Sequence, residues 1–73
     1  MFRLLDTVTL RSDRPDLGIA AGQLGAVVLV HDDLNYEVEF VGEDGQTLAQ
    51  VTVQEASLAA WEPQPQTALA QRR

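Results

Sequence analysis

The chain has 73 residues, enough for one domain near the lower size limit for an apolar core without disulfides or metals. It contains no cysteine and one histidine, which excludes a disulfide framework, a thiolate metal site and a histidine-rich metal site. Eleven carboxylates against five arginines give a net charge of −6, which disfavours phosphate-bearing ligands such as nucleic acids. No apolar segment approaches the roughly 20 residues of a membrane-spanning helix, and the N-terminus turns acidic too early for a secretory signal, so we expect a cytoplasmic protein.

The first strand is predicted over residues 6–10, where polar and apolar residues alternate. Leu5, Val8 and Leu10 are its expected apolar anchors. Residues 11–23 then form a long irregular loop, because a proline and two glycines oppose both a helix and a central strand.

The second and third strands are predicted to form a hairpin after this loop. Residues 25–30 are uninterruptedly apolar, which predicts a strand covered on both faces. Residues 31–35 have the composition of a turn, and residues 36–41 alternate again. This third strand places its aromatic and valine side chains on one face and its two glutamates on the other.

The rest of the chain completes a β-rich pattern. Asp44-Gly45 is a strong hairpin signal, and a fourth strand follows at residues 47–53. Residues 54–58 have room for only one 3₁₀ turn. A last short strand is predicted at residues 60–62, ended by a proline, and residues 63–73 form a polar tail.

This order of elements predicts an all-β fold, a small five-stranded SH3-like barrel over residues 1–62 with one 3₁₀ turn. The tail, residues 63–73, is expected to be disordered or weakly helical, because its apolar stretch is too short to hold a helix alone. The predicted core consists of Val8, Leu10, Leu24, Val27, Leu29, Val38, Phe40, Val51, Val53 and Leu58, with Trp61 as a further candidate.

No catalytic constellation stands out. A histidine followed by two aspartates, at residues 31–33, is typical of an exposed turn whose carboxylates accept local N–H groups. Neither serine has a partner base in a water-excluding cleft, for which so small a domain has little volume. Asp13 and Asp16 have the wrong spacing for a calcium loop, and Gly18 and Gly22 are not followed by a phosphate-loop lysine. We therefore expect no enzymatic activity, no metal and no cofactor.

Several segments together carry a family resemblance. They are residues 5–10, 18–28, 36–40, 44–45 and 48–49. They follow the patterns D-x-V-x-L, G-L-x-x-G-x-x-G-x-V-V, Y-x-V-E-F and D-G-x-T-x-A. In these patterns the chain resembles a family of small bacterial proteins of unknown function, over residues 5 to about 62; the tail lies outside the pattern.

The resemblance implies an SH3-like fold. It also implies that such proteins are often encoded beside a small partner protein, in arrangements resembling toxin–antitoxin or toxin–immunity pairs. A second likeness, to the glycine loop of RNA-binding SH3-like domains, is weaker, because this loop lacks the basic and aromatic residues that bind bases.

Six carboxylates and one tryptophan form the candidate binding surface. We expect the acids to lie along one hairpin and to bind a basic protein, whereas the alternative is an acidic face that only keeps the protein soluble. The tryptophan, together with Leu48 and Val41, either adds an apolar centre to this surface or packs over the end of the barrel. The candidate residues are Asp32, Asp33, Glu37, Glu39, Glu43, Asp44 and Trp61.

The sequence thus favours a non-catalytic, antitoxin- or immunity-like module that binds a basic protein encoded nearby. A structural or regulatory docking subunit of a larger enzyme complex is the alternative, and RNA binding is less favoured. Exposed edge strands also allow a homodimer. We expect neither nucleic acid nor membrane as a partner.

Overall fold

A computed structural model describes residues 1–61 and places in them five strands, one 3₁₀ turn and no α-helix. The elements are β1 (Thr7–Leu10), β2 (Leu24–Val30), β3 (Asn35–Val41), β4 (Thr47–Gln54), the 3₁₀ turn Glu55–Ser57 and β5 (Leu58–Ala60). The predicted all-β class, the number of strands and the single 3₁₀ turn are confirmed. Within these residues no helix is long and apolar enough to cross a membrane. The prediction for the tail, residues 63–73, lies outside the described residues.

The five strands form one antiparallel sheet in the order β4-β3-β2-β1-β5. In the described residues β4 and β5 are its two edges and no ladder joins them, so closure of the sheet into a barrel is not confirmed. The register shifts once between β2 and β3, at Val27/Leu29, and once between β3 and β4, at Phe40/Val41. Such bulges bend a strand and increase its twist.

The long loop between β1 and β2 is irregular, as predicted, and is tied to β1. Gly22 has a φ of +88°, a conformation that favours glycine, and its N–H donates to Leu10 O at 2.7 Å. The side chain of Asp13 accepts from Ala21 N–H at 2.8 Å. The loop therefore folds back over the sheet and brings Ile19 into the core, where it is 4% exposed.

One face of the sheet carries the apolar core. Alternation along each strand turns every second side chain to this face, which explains why most of the predicted core is confirmed. Tyr36 joins the core as its largest fully buried side chain. The buried residues are Val8, Leu10, Ile19, Val27, Tyr36, Val38, Phe40, Val53 and Leu58.

The prediction that β2 is covered on both faces is wrong. Its inward residues are buried, but Leu24 is 38% exposed and Leu29 is 51% exposed, so neither belongs to the core. No second layer covers the outer face of the sheet in residues 1–61. The bulge also pairs Leu29 with Glu37 on that outer face. Val51, another predicted core residue, is only partly buried and packs against the core from the edge.

Two expectations at the ends of the described region are also wrong. Leu5 does not anchor β1: it is 73% exposed, with a φ of +72°, in a turn where Asp6 N–H donates to Arg3 O. The last strand is predicted at residues 60–62, but β5 spans Leu58–Ala60. Its pairing with β1 begins directly after the 3₁₀ turn, at Leu58 opposite Leu10. Trp61 therefore follows the strand, is 43% exposed and is not a core residue.

Candidate functional site

The charged residues of the described strands all lie on β3. Its inward face holds an aromatic–valine–aromatic row, whereas Glu37 and Glu39 occupy the outward face, as predicted. The neighbouring strands β2 and β4 contain no charged residue. The two glutamates are therefore flanked on both sides by uncharged backbone and side chains.

The other four acids lie in the two turns that flank β3. Asp32 and Asp33 precede the strand, and Glu43 and Asp44 follow it. A seven-residue strand separates the two turns by roughly 20 Å, so the acids form a line along β3 and do not gather at one point. We call this line the acidic ridge; it consists of Asp32, Asp33, Glu37, Glu39, Glu43 and Asp44.

Hydrogen bonds fix the ridge at its first turn. Asp32 Oδ1 accepts from Leu34 N–H at 2.8 Å and from the Asn35 side-chain amide at 3.0 Å. The bond from Leu34 N–H, followed by that from Asn35, lowers the pKa of the Asp32 carboxyl, because both stabilise its charged form. This carboxylate is therefore ionised at neutral pH.

Cross-strand contacts hold the middle of the ridge. Glu37 Oε1 lies 3.2 Å from His31 Nε2 and accepts from the Thr52 hydroxyl at 2.9 Å. The contact with His31, then that with Thr52, lowers the pKa of Glu37. Glu39 likewise accepts from the hydroxyl of Thr47. At the far turn, the Asp44 side chain accepts from Gln46 N–H at 3.0 Å.

The acidic ridge accounts for the net charge of the chain. Residues 31–46 contain six of the eleven carboxylates and none of the five arginines. The remaining residues therefore contain five of each, and the net charge of −6 belongs to this one segment. Composition alone does not reveal this segregation, but a running charge count along the sequence does.

The structure separates Trp61 from the acidic ridge. Trp61 N–H donates to Thr7 O at 3.2 Å, which places the residue beside β1. Strands β2 and β1 lie between β3 and β5, so this position is about 14 Å from β3 across the sheet. Leu48 is 48% exposed and, with the half-buried Val41, lies near the second turn of the ridge.

Sequence reasoning missed a polar network around the buried Tyr36. Its hydroxyl accepts from Phe2 N–H at 3.0 Å and donates to Glu55 Oε1 at 2.8 Å. Glu55 Oε2 also pairs with the Met1 ammonium at 3.0 Å, and the Phe2 ring packs edge-on at 5.5 Å. The bond to Tyr36, then that to the ammonium, lowers the pKa of Glu55. The network joins the N-terminal segment to the 3₁₀ turn.

We expect the melting temperature to fall as the pH drops below the ordinary carboxyl values, 3.8 for Asp and 4.5 for Glu. Asp32, Glu37 and Glu55 have lowered pKa values in the folded state, so the unfolded state binds protons first. Their stabilisation is complete above the unfolded values and is lost as the pH falls through the folded values. Thermal melts followed by circular dichroism measure this profile.

The double variant Glu37→Gln/Glu55→Gln should have a flatter profile, because two of the linked groups no longer titrate. Glu43→Gln is the matched control, since no hydrogen bond among the described residues involves the Glu43 carboxylate. If the melting temperature of the double variant fell with decreasing pH as steeply as that of the wild type, the stabilising roles given to Glu37 and Glu55 would be contradicted.

No group of three His, Cys, Asp or Glu side chains in residues 1–61 is arranged to hold a metal ion. The fold and the site together define an all-β protein with one antiparallel sheet and a ridge of carboxylates along β3 and its two flanking turns. The chain belongs to a family described as a domain of unknown function (DUF4926), whose family model matches residues 4–60. No curated protein and no solved structure shows significant similarity to it.

Proposed function

We propose that this chain is a non-catalytic protein-binding module, antitoxin- or immunity-like, that docks a basic partner along the acidic ridge. The observation that carries the proposal is the segregation of charge: the whole net charge of −6 lies in residues 31–46. A ridge of one sign attracts a basic surface, raises the rate of encounter and fixes orientation.

The ridge is also ordered before any partner arrives. Asp32, Glu37 and Asp44 are each held by hydrogen bonds to neighbouring groups. Fixed side chains lose less conformational entropy on binding than free ones, so more of the attraction is retained as affinity. The lowered pKa values of Asp32 and Glu37 reflect the same hydrogen bonds, which stabilise the charged forms of these carboxylates.

We further infer that the sheet curls into an SH3-like barrel. Three features support this inference: the strand order places β5 beside β1, a long loop separates β1 from β2, and a 3₁₀ turn precedes the last strand. Two bulges supply curvature along β3. In such a fold β3 is a central strand, and the acidic ridge is supported by rigid neighbours.

The partner we propose is a basic protein encoded beside this chain, with both proteins acting in the cytoplasm. A positively charged cleft, such as that of a nuclease-type toxin, is the kind of surface an acidic ridge can occlude. The ridge then needs no catalytic group, because covering the cleft is sufficient to inhibit the partner.

The test is to co-express the chain with the product of the adjacent gene and to measure association by surface plasmon resonance at several salt concentrations. We expect binding to weaken as salt rises. Reversal of two free carboxylates, Asp33→Lys/Glu43→Lys, should slow association by about tenfold at low salt with little change in dissociation. Neither carboxylate takes part in a hydrogen bond among the described residues, so the variant should fold normally.

Asp16→Lys is the control for a single charge reversal. It reverses one charge, as each half of the double variant does, at an exposed site in the loop between β1 and β2, away from the ridge. It also removes the ion pair between Asp16 and Arg14, and it should change the association rate by less than about twofold. Glu37→Gln and Glu39→Gln separate charge from shape, since they keep the side-chain volume. No complex with the adjacent product, or a complex insensitive to both salt and the double variant, would refute the proposal.

A further inference from the structure

The outer edge of β4 is unpaired in the part of the chain that the structure describes. β4 is the longest strand, at eight residues, and its sequence T-L-A-Q-V-T-V-Q contains neither a charge nor a proline. One side of it pairs with β3, and no other residue of the described part pairs with it. Proteins normally shield such an edge with lysine, proline, a bulge or a short strand. The bulge at the start of β4 leaves Ala49–Gln54 in regular register.

The opposite edge of the sheet is shielded by its short length and by an arginine side chain. β5 has only three residues, Leu58–Ala60. One of its carbonyls, Leu58 O, accepts from Arg11 Nε at 2.8 Å. The two edges therefore differ, and β4 is the one that can accept a further strand.

The hydrogen bond from Glu55 N–H to Leu34 O, at 2.8 Å, fixes which backbone groups of β4 face outward. In an antiparallel ladder, residues alternate between pairs that exchange hydrogen bonds and pairs that do not. Since Glu55 is bonded to Leu34, just before β3, every second residue before Glu55 in the regular register is bonded to β3. The residues between them turn their N–H and C=O groups to the open edge; these are Gln50, Thr52 and Gln54. All three residues are exposed.

We propose that β4 pairs antiparallel with β4 of a second copy of this chain, about a two-fold axis at Val51. In this register Gln50 of each copy lies opposite Thr52 of the other, and both pairs use the outward backbone groups. The two pairs exchange about four main-chain hydrogen bonds. On the core face, Val51 meets Val51 and Ala49 meets Val53 of the other copy.

Packing favours this occupant. Ala49 and Val51 already pack against the core but remain only partly buried at the edge of the sheet. A second β4 presents the same small and β-branched side chains, so the core face continues across the axis without a polar interruption. The inward side chains of the two copies then lie side by side, and each row shields the edge of the other from solvent.

Charge does not oppose a second copy at this edge. The glutamates of β3 lie one strand in from β4, so the glutamates of the two copies are about 14 Å apart, beyond a Debye length of about 8 Å at physiological salt. A basic peptide would find no carboxylate on β4 itself. The dimer therefore uses a different surface from the acidic ridge, and the two proposals can fail independently.

The first test is sedimentation velocity of the full chain from micromolar to millimolar concentration, together with amide exchange read by NMR. We expect the mass to rise toward twice that of the monomer. We also expect the Gln50 and Thr52 amides to become protected as the concentration rises. Protection independent of concentration would mean that the chain covers its own edge, and a monomer throughout would equally overturn the proposal.

The second test uses charge at the axis. Gln50→Lys places two lysines diagonally across the interface, where long side chains meet, and should raise the dimer Kd by about tenfold or more. Gln50→Glu should weaken the dimer further, because residue 50 also lies opposite Glu39 of β3 in its own chain. An equimolar mixture of the two variants should restore dimers. Circular dichroism confirms that each variant is folded.

Thr7→Lys is the matched control, because it adds the same charge at an exposed residue of the interior strand β1. It should leave the dimer Kd unchanged within about twofold. Equal weakening by Thr7→Lys and Gln50→Lys, or a mixture that stays monomeric, would overturn the pairing.

Discussion

Replacing Phe40 with alanine is expected to lower the free energy of unfolding by about 3–5 kcal/mol. Phe40 is fully buried on the inward face of β3, a strand that pairs on both sides. Removing its ring leaves a cavity that a 73-residue chain has little surrounding structure to fill. The free energy of unfolding of a protein is only about 5–15 kcal/mol in total, so much of the variant population should unfold at 37 °C. Urea denaturation at 25 °C measures the loss.

Two variants calibrate this result. Phe40→Leu keeps most of the apolar volume and should cost less than half as much. Leu48→Ala removes a side chain that is 48% exposed and should change stability by less than about 1 kcal/mol. If Phe40→Ala lowered the free energy of unfolding by less than about 1 kcal/mol, the placement of Phe40 in the buried core would be contradicted.

Gly25→Ala is expected to destabilise the protein by about 1–3 kcal/mol, because the added methyl group has no room. A Cβ at this position would lie 2.8 Å from Phe40 Cδ1, 2.8 Å from Val38 Cγ1 and 3.0 Å from Glu39 O. The carbonyl belongs to the backbone of the paired strand, so it cannot withdraw without disturbing the β2–β3 ladder. Urea denaturation measures this loss as well.

The matched control is Gly42→Ala, whose Cβ would have Asp44 Oδ1, at the end of a side chain, as its nearest neighbour at 3.3 Å. Its next neighbours, Leu48 Cδ2 at 3.5 Å and Gln46 O at 3.8 Å, lie at ordinary van der Waals distances. It should change stability by less than about 0.5 kcal/mol. A double-mutant cycle with Phe40→Leu sharpens the test, since the smaller side chain relieves part of the clash. We expect a coupling energy of at least about 0.5 kcal/mol, and additive effects would contradict the contact.

The sequence predicts the sheet best where alternation is strict. β3 alternates without interruption, and its inward and outward faces are both predicted correctly. β2 is an unbroken apolar run with no period that could tell one face from the other, so its pattern wrongly predicts Leu24 and Leu29 in the core. That assignment required a second layer over the sheet, and residues 1–61 do not provide one.

Contacts between distant parts of the chain were less predictable. The hydroxyl of Tyr36 reaches Phe2, which is 34 residues away in sequence, and no local pattern indicates such a bond. The line that the six candidate acids form follows from the bounds of β3, and their role in binding stays a prediction. Only its residue type makes Trp61 a candidate beside the acids, and the strand order separates it from them.

The placement of every strand-borne charge on β3 has a consequence for the nascent chain. Residues 24–30, L-G-A-V-V-L-V, leave the ribosome as an uncharged segment of the kind that self-associates before its partner strand has been synthesised. Asp32 and Asp33 follow after one residue, at the flanking position from which charged residues oppose aggregation. We therefore expect the carboxylates that charge the folded surface also to oppose self-association of the chain during its synthesis.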